Sequence, residues 1–401
     1  MPKWKKMTVG DLCDTISDTY RGDDKDVVLI NTSDVLEGKV LNHQVVENKN
    51  LKGQFKKTFK KNDILYSEIR PANKRYAFVD FGDTDNYIAS TKLMVLRPRK
   101  DVVRPRFLFS FLASKSVLEE LQQLAETRSG TFPQITFSSE LAPTPINVPD
   151  LETQDRIVGI LDVIEGKIST NAEINKNLLQ QAIALYEHLL QEAEWSTVTI
   201  LDVAKKVAMG PFGSNIKIST FVPEGVPIIS GNHLRGYFLE EPEFNYITEE
   251  HAERLKNSIV FPHDIIFTHA GNIGQVAMIP DGCKYDRYVL SQRQFYLRCD
   301  EAKVVPEFLL LFFHSASGQH ELLSYANQTG VPSIAQPASN LKKIPFKCPP
   351  MQEQLMWQEQ VHPLLSHYLN NRLENERLSS LRDTLLPKLM SGELDVSGID
   401  L

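Results

Sequence analysis

The sequence has little cysteine and no long apolar run, and each shortage excludes a class of protein. Its four cysteines are scattered, with no C-x-x-C pair and no histidine at zinc-finger spacing, which argues against a disulfide scaffold or a zinc site. The longest apolar runs, such as 308–313, are far shorter than the roughly 20 residues of a membrane helix. The start has basic residues but no apolar stretch behind them, so we expect no signal or transit peptide and a cytosolic location.

Motifs for catalysis and for metal binding are missing as well. The ten histidines contain no H-E-x-x-H, and GPFGSNIK (210–217) lacks the spacing of a phosphate-binding loop, which favours a tight turn there. There is no [DN]-P-P-[YF] tetrapeptide of the kind that adenine methyltransferases use, and no carboxylate cluster typical of a nuclease. We therefore predict no catalytic residues, no metal and no cofactor bound by this chain.

What is present is the composition of a folded protein. The 401 residues are 42% hydrophobic and 24% charged, which predicts two to four globular domains. The 44 basic and 51 acidic residues give a net charge of −7, which argues weakly against a protein that coats nucleic acid without selectivity. Counted by segment, only residues 1–150 are positive, with three more basic than acidic residues.

The chain repeats itself at an offset of about 200 residues. PINVPDLETQ (145–154) aligns without gaps on PFKCPPMQEQ (345–354), and DILYSEIRPANKRYAFVD (63–80) aligns on DIIFTHAGNIGQVAMIPD (264–281). A repeat of this length predicts two similar halves, each a globular part followed by a helix. The expected boundaries are 1–150 and 195–345 for the globular parts, and 151–194 and 346–401 for the helical regions.

Each globular part is expected to be an α+β domain. Apolar runs bounded by glycine, proline and asparagine predict strands at 63–67, 93–96 and 226–230. Apolar residues at helical spacing after a proline predict one amphipathic helix over 107–127 and one over 307–326.

The two helical regions carry the same heptad seam, with steps of four and three residues. Both seams contain two asparagines at equivalent places, Asn171 and Asn175 in the first helix and Asn371 and Asn375 in the second. Buried asparagines lower stability but fix the register of a coiled coil. The two pairs would meet only if the helices packed antiparallel. The other seam positions are Ile157, Leu161, Ile164, Ile168, Leu178, Ala182, Leu185 and Leu189, and then Trp357, Val361, Leu364, Tyr368, Leu378, Arg382, Leu385 and Leu389.

A helix over 155–194 would be roughly 60 Å long at about 1.5 Å per residue. Such a helix would act as a spacer between two globular domains that bind one long, periodic ligand. The alternative is that each helix only covers its own globular domain, with the asparagines at a wet edge.

A basic segment in the first half is the best candidate for contact with DNA. Between residues 49 and 75 there are nine basic and two acidic residues, as phosphate contacts require, and aromatic residues are interleaved at 55, 59 and 66 and follow at 76. Arginine and asparagine after the strand at 63–67 suit bidentate contacts with bases, although lysine runs are often only solvated surface. The predicted DNA-binding residues here are Lys56, Lys57, Lys60, Lys61, Arg70, Asn73, Lys74 and Arg75, and the remaining basic residues of the segment are Lys49 and Lys52.

The second half offers a different set of side chains on a similar framework. Its loop at 269–274, which aligns with the first-half loop, is rich in glycine rather than basic residues. Similar scaffolds with different loop side chains suggest that the two halves recognise different DNA half-sites. The predicted DNA-binding residues here are Asn232, His233, Arg235, His269, Asn272, Arg287 and Arg293.

The stretch LRDTLLPKLMSGELDV (381–396), the proline-rich entries at 145–154 and 345–354, and the two-half layout resemble a specificity subunit of a type I restriction-modification system. The resemblance covers essentially the whole chain. One departure is that the first helix continues into YEHLLQEAEW (186–195) without the LPKLMSGEL ending, which puts the equivalence of the two helix ends in doubt.

This resemblance implies a non-catalytic protein with two target-recognition domains that read a split sequence in double-stranded DNA, separated by an antiparallel helical spacer. It implies two modification subunits that bind S-adenosylmethionine and methylate adenine, and restriction subunits that cleave DNA with ATP where the system is complete. The alternative from another class is a two-headed DNA-binding scaffold or regulator that acts without a methyltransferase.

Overall fold

The structure, a computed structural model, divides into two compact units. The first unit comprises Met1–Glu173 and Asn371–Leu401, and the second comprises Ile174–Asn370. The two long helices contribute residues to both units. No helix within the described ranges is both long enough and apolar enough to cross a membrane. The structure describes residues 4–22, 25–49, 53–128, 132–241, 243–327 and 330–399.

Helices form where the apolar spacing predicts them, although their bounds differ. They are α1 (Val9–Leu12), α2 (Pro105–Leu112), α3 (Lys115–Arg128), α4 (Leu151–Glu192), α5 (Ile200–Val203), α6 (Glu249–Arg254), α7 (Pro306–His314), α8 (Ala316–Leu323), α9 (Pro337–Leu341) and α10 (Met351–Ser391). Short 3-10 turns lie at Thr32–Asp34, Pro71–Asn73, Gly213–Asn215, Ile218–Thr220, Gly231–His233 and Lys256–Ser258, and a π turn lies at Phe137–Leu141.

The first unit contains two four-stranded sheets, in the orders β2-β11-β8-β9 and β6-β3-β10-β7, and two-stranded pairs β1-β12 and β4-β5. These strands are β1 (Lys5–Thr8), β2 (Cys13–Ile16), β3 (Asp26–Ile30), β4 (Val35–Leu36), β5 (Lys39–Val40), β6 (Val45–Glu47), β7 (Phe55–Lys57), β8 (Ile64–Ser67), β9 (Tyr76–Phe78), β10 (Tyr87–Ser90), β11 (Leu93–Pro98) and β12 (Pro145–Val148).

The second unit repeats the two four-stranded sheets, as β14-β21-β18-β19 and β16-β15-β20-β17, and the pair β1-β12, as β13-β24. Its other pair, β22-β23, lies after α8 and is not the counterpart of β4-β5. Both units therefore order their equivalent strands identically, which confirms the internal repeat and the α+β fold. The strands are β13 (Thr197–Thr199), β14 (Ala204–Met209), β15 (Val226–Ile229), β16 (Asn245–Ile247), β17 (Ile259–Val260), β18 (Ile265–Thr268), β19 (Val276–Met278), β20 (Tyr288–Leu290), β21 (Gln294–Cys299), β22 (Ala326–Asn327), β23 (Ser333–Ile334) and β24 (Pro345–Lys347).

The sheet that contains β8 and β11 is buried on both faces. Ile64 and Tyr66 pack toward the helices, whereas Leu65 between them packs against the other sheet. Alternate side chains of a strand point to opposite faces, so a strand covered on both sides carries an unbroken apolar run. The equivalent strand β18 does the same, with Ile265 and Phe267 on the helix side and Ile266 between the sheets.

The prediction of a single helix over 107–127 and over 307–326 was wrong, because each is two helices. In the second unit α7 ends at His314, and the Ser315 side chain accepts a hydrogen bond from the Gly318 amide at 3.1 Å to start α8. A serine N-cap supplies an acceptor for amides at a helix start. A Cβ atom on Gly318 would lie 2.0 Å from the Phe312 carbonyl oxygen, so the chain turns sharply there.

One glutamine anchors the start of each long helix, which explains an identity in the repeat. Gln154 accepts a hydrogen bond from the Arg104 amide at 2.7 Å and donates to the Pro149 carbonyl at 2.9 Å. Gln354 makes the same two bonds, from the Val305 amide at 2.9 Å and to the Pro349 carbonyl at 2.8 Å. Both glutamines are fully buried, so each ties the helix start to the preceding helix pair.

Inside each unit the segments of α4 and α10 run antiparallel, as the paired seams predict. In the first unit Asn171 donates to the Asn375 side chain at 2.9 Å, and Asn375 donates to the Ile168 carbonyl at 3.2 Å. In the second unit Asn175 donates to the Tyr368 carbonyl at 3.1 Å. The expected start of the first helix at 155 is four residues late, because the Asp150 side chain accepts the Thr153 amide at 2.9 Å and caps the helix earlier.

Candidate nucleic-acid interface

The β8–β9 loop at 68–75 lies at one end of the first unit, beside the turn at 91–92. A third segment, 132–135, runs along this loop: the Arg70 amide donates to the Pro133 carbonyl at 3.1 Å, and the Ile135 amide donates to the Glu68 carbonyl at 2.8 Å. These three segments are called here the loop end of the first unit. They hold the predicted loop rigidly through backbone hydrogen bonds.

Two basic residues of this loop adopt a left-handed backbone conformation. Arg70 has φ +44° and Lys74 has φ +52°, on either side of the 3-10 turn Pro71–Asn73. Non-glycine residues rarely adopt this region, and such strain concentrates at functional sites. The Arg70 and Asn73 side chains are exposed, and no hydrogen bond or ion pair with another described residue holds the Arg70 guanidinium.

The next two cations have partners within the unit. Lys74 forms an exposed ion pair with Glu37 at 2.8 Å. Arg75 is half-buried and donates to the carbonyl oxygen of Ser33 at 3.0 Å. An exposed pair of this kind contributes little stability, so Lys74 can exchange its partner for a phosphate at small cost.

Only some of the predicted lysines lie near this loop end. Lys57 is half-buried, and its ammonium donates to the Thr91 carbonyl at 3.0 Å and the Leu93 carbonyl at 2.8 Å, while burial lowers its pKa. Lys60 and Lys61 precede β8 and are exposed at its other end, four strand residues (about 13 Å) from the loop. Lys56 is exposed on β7, and Lys52 lies outside the described residues.

Lys92 is a cation at the loop end that sequence reasoning missed. It is exposed in the turn between β10 and β11, and its ammonium lies 3.4 Å from both the Glu68 carboxylate and the Gln134 side-chain oxygen. At the repeat offset of 201 it corresponds to Arg293, which the sequence did predict. Comparing each predicted residue with its counterpart at the repeat offset would have identified Lys92.

The second unit builds the same loop end from different side chains. The Gly271 amide donates to the Pro332 carbonyl at 3.0 Å, and the Ile334 amide donates to the His269 carbonyl at 2.8 Å. The loop end of the second unit thus comprises the loop 269–275, the turn 291–294 and the segment 331–334. Asn232, in the turn after β15, joins it, because its neighbour Gly231 lies against Thr268, Gln275 and Gln294.

Arg293 supplies the cation of this loop end. It is exposed, and one guanidinium nitrogen lies 3.6 Å from the position that a Cβ on Gly271 would occupy. Gly271 is the equivalent of Arg70 in the strand register, so the guanidinium passes over the position where the first unit has a side chain. Asn232 and Asn272 are exposed beside it, as is Arg235 after the turn at 231–233.

The two predicted histidines serve the fold in this structure. His233 is buried, accepts the Ser230 amide at 2.9 Å and stacks on Phe244 with ring centres 4.5 Å apart. His269 is half-buried with one ring nitrogen 3.2 Å from the Gln292 carbonyl. Burial lowers the pKa of both rings, which keeps them neutral at pH 7.

Arg287 lies away from the loop end, before the start of β20. It pairs with Glu249 and, at 2.6 Å, with Glu253 of α6. The glycine-rich stretch 210–217 forms a turn, because a Cβ on Gly210 would lie 2.1 Å from the Ser291 carbonyl oxygen and Gly213 has φ +51°. Among the described residues, no three His, Cys, Asp or Glu side chains are grouped to hold a metal ion.

Several known proteins are similar to this chain in sequence. The family described as the type I restriction modification DNA specificity domain matches residues 1–180 and 192–382. The chain is 29% identical to the type I restriction enzyme HindI specificity subunit of Haemophilus influenzae, over 98% of this chain and all of that one. It is 22% identical to the MjaIX specificity subunit of Methanocaldococcus jannaschii, over 74% of this chain and 71% of that one.

A solved structure is similar in fold. The type I restriction-modification system S subunit from M. genitalium superposes with a TM-score of 0.54 at 16% identity, covering 97% of this chain and 96% of that one. The match extends over both units rather than over one of them.

Proposed function

The chain belongs to the type I restriction modification DNA specificity family, and on that premise we propose that it reads a split sequence in double-stranded DNA and directs adenine methylation to it. Each unit reads one half of the target. The chain itself contributes recognition and no catalysis.

The duplicated loop end carries this proposal. Both units support a loop by the same two backbone hydrogen bonds, yet one presents Arg70 and the other Gly271 with Arg293 above it. A backbone framework that is the same in both units, with different side chains on its loop, suits two surfaces that read different base pairs. Phosphate contacts would position each unit, and the arginine and asparagine side chains would distinguish base edges in the groove.

Residues divide between these tasks by exposure. In the first unit Arg70 and Asn73 are the proposed base readers, and Lys56, Lys74 and Lys92 the proposed phosphate contacts. In the second unit Arg293, Asn232 and Asn272 take the first role, and Arg235 the second. Lys60 and Lys61 would reach DNA only beyond the loop end. Lys57, Arg75, His233 and His269 would act mainly by shaping the site, since each already has partners. Arg287 would contact DNA only away from the loop end and only by giving up Glu253.

The proposed partners are modification subunits carrying S-adenosylmethionine and, in a complete system, restriction subunits that use ATP. We assign recognition to residues 1–150 and 195–345, and the spacer and subunit docking to 151–194 and 346–401. The asparagine layer of Asn171, Asn175, Asn371 and Asn375 would hold the register of the two helices.

The decisive experiment maps adenine methylation across the genome of the host with and without this gene. We expect one split motif to lose methylation in the deletion strain and to regain it when the gene is restored. An unchanged map, in a host shown to express the chain together with a modification subunit, would contradict the proposed function.

The length of the two long helices should set the spacing of the two half-sites. One heptad inserted into each of α4 and α10 keeps the phase of the seam and lengthens each helix by about 10 Å, or roughly three base pairs at about 3.4 Å each. We expect the methylated motif to keep both halves and change its spacer. Seven residues inserted between Lys100 and Asp101, in the exposed turn before α2, should leave the spacer unchanged.

A further inference from the structure

An apolar side chain is exposed at the same place in both loop ends. Phe132 keeps 48% of its surface exposed in the first unit and Val331 keeps 65% in the second. Each directly precedes a proline, Pro133 or Pro332, whose carbonyl accepts the hydrogen bond from the loop proposed to read bases. The two residues are therefore equivalent by hydrogen-bond pattern as well as by sequence.

Both side chains are held firmly although they face water. A residue before proline is restricted to extended conformations. Two residues after each proline an isoleucine is buried in its unit, Ile135 at 0% and Ile334 at 4% exposure. In both units the segment is thus anchored directly beside an exposed apolar residue. Single exposed apolar residues are ordinary on protein surfaces, but recurrence at equivalent places in two diverged halves is not explained by chance exposure.

The neighbours of these residues favour a nucleic-acid occupant. Phe132 lies in the segment bonded to Arg70, and Lys92 reaches Gln134 two residues further on. Val331 lies in the segment bonded to Gly271, and the guanidinium of Arg293 lies over Gly271. An apolar side chain next to an exposed cation can touch a thymine methyl group or enter a base step while the cation holds a base edge or phosphate.

Building on the proposed function, we infer that Phe132 and Val331 make apolar contacts with DNA bases, one in each half-site. Each contributes to specificity in its own half only. The difference between a phenyl ring and an isopropyl group also makes the two half-sites differ in the base step that they favour.

The test replaces the chromosomal gene with single variants and reads the adenine methylation map. F132A should relax the sequence requirement in one half of the motif and V331A in the other, each by about tenfold in discrimination, which corresponds to about 1.4 kcal/mol. The matched controls are L124A in the first unit and L201A in the second, at exposed leucines (41% and 60%) outside the loop ends, and both should leave the map unchanged.

A second measurement begins with the wild-type chain, so its first result does not depend on whether a variant folds. The complex purified with wild-type chain is titrated with duplexes of the motif in which uracil replaces one thymine at a time, or 2-aminopurine replaces one adenine. A loss of affinity on removal of one thymine methyl group indicates a methyl contact, and a rise in 2-aminopurine fluorescence on binding indicates insertion at a step. Either response should disappear with F132A or V331A for its own half-site.

The outcomes separate this inference from the proposed function. If the wild-type gene produces no split methylated motif, both fail. If the wild-type motif appears and F132A and V331A give the same map and the same duplex responses as wild type, only the apolar contact is overturned. A loss of co-purifying modification subunit in these variants, with DNA responses intact, would also overturn it by assigning the two residues to a protein interface.

Discussion

The two units share one scaffold but differ in how many cations they place at their loop ends. Both have a cation in the turn beside the loop, Lys92 in the first unit and Arg293 in the second. Only the first unit adds cations from the loop itself, where Arg70 and Lys74 adopt left-handed conformations at φ +44° and +52°, whereas the second unit has glycine there at φ +87°. The turn therefore keeps one basic group in both units, and the loop decides how many more are added and at what cost in backbone strain.

The units also differ in how they fill the space behind the loop end. In the second unit Tyr237 stacks on His314 with ring centres 3.8 Å apart. The equivalent positions in the first unit are Gly38 and Ala113, and a cleft of about 970 Å³ lined by residues such as Tyr76 and Phe109 remains there. Of the ten histidines in the sequence, His43 is in the first unit and the other nine are in the second. Acid should therefore affect the units differently.

The largest losses of stability should come from removing the buried carboxylate of an ion pair that occurs in both units. Asp63, 2% exposed, pairs with Arg97 at 2.6 Å, and Asp264, 1% exposed, pairs with Arg298 at 2.6 Å. D63A and D264A should each lower the free energy of unfolding by about 3 kcal/mol, because an arginine is left without its buried carboxylate. Hydrogen exchange should accelerate in β8–β11 for D63A and in β18–β21 for D264A.

The control for this prediction is D14A, which removes the exposed partner of Arg99 and should leave the free energy of unfolding almost unchanged. Equal acceleration of exchange in both units by either variant would mean that the units are not independent in stability.

The next largest effect is a loss of stability at low pH that should occur mainly in the second unit. Burial lowers the pKa of His314 to about 4, and one of its ring nitrogens bonds the Val276 carbonyl at 2.9 Å. An unfolded histidine titrates near 6.5, so as pH falls the unfolded chain binds the proton first, and the second unit should lose about 2 kcal/mol between pH 7 and pH 5 from this residue. The loss in free energy of unfolding is measured by chemical denaturation at both pH values, with hydrogen exchange in the second unit as the readout.

H314Q keeps a donor for Val276 and removes the titration, so its stability should change less with pH than that of wild type. Comparing the two slopes cancels the contributions of His233, His263 and His269. If the slopes are equal, His314 is protonated or exposed in the folded chain and the assigned burial is wrong.

A smaller effect concerns the asparagine layer in the first unit. N171A removes bonds to Asn375 at 2.9 Å and to Glu374 at 2.6 Å, and should cost about 1.5 kcal/mol. N177A, at an exposed position of the same helix, should have no such cost, because alanine favours a helix. A cost of the same size for both variants would mean that the hydrogen bonds of Asn171 make no measurable contribution to stability.

The smallest change in stability should accompany a large change in recognition. R70A and R70G both remove the guanidinium, but only glycine adopts φ +44° without strain. We expect R70G to be within about 0.5 kcal/mol of wild type and about 1 kcal/mol more stable than R70A, while both relax the same half of the methylated motif. If both variants keep the wild-type map, Arg70 is not a base reader.

The repeat and the two seams could be predicted from sequence because they are periodic. Asp63 and Asp80 recur at an offset of 201 residues and Gln154 at an offset of 200. Burial of the central sheet on both faces gave the apolar runs that mark β8 and β18. Helix breaks were missed because Ser315 and Gly318 do not interrupt the apolar spacing. The turn depends on an N-cap and on a close backbone approach that spacing does not record.

The candidate site was predicted less well than the fold. Counting charge along 49–75 treated Lys60 and Arg70 as neighbours, although β8 separates them. Arg287 and Lys57 were chosen for their charge, but Glu253 and two carbonyls already engage them. Lys92 stands alone in its stretch of sequence and joins the loop end only through strand pairing, which no local pattern reports.

The division of the chain also has a consequence for its synthesis. The second unit is one continuous stretch, 174–370, whereas the apolar core of the first unit joins Ile157 and Leu161 to Leu389 and Val396 near the other end of the chain. A ribosome adding roughly 5–20 residues per second needs about 12 to 47 s to go from Leu161 to the last of these. The unit that begins first is thus completed after the second unit, and its apolar face waits for the segment after residue 370 to emerge.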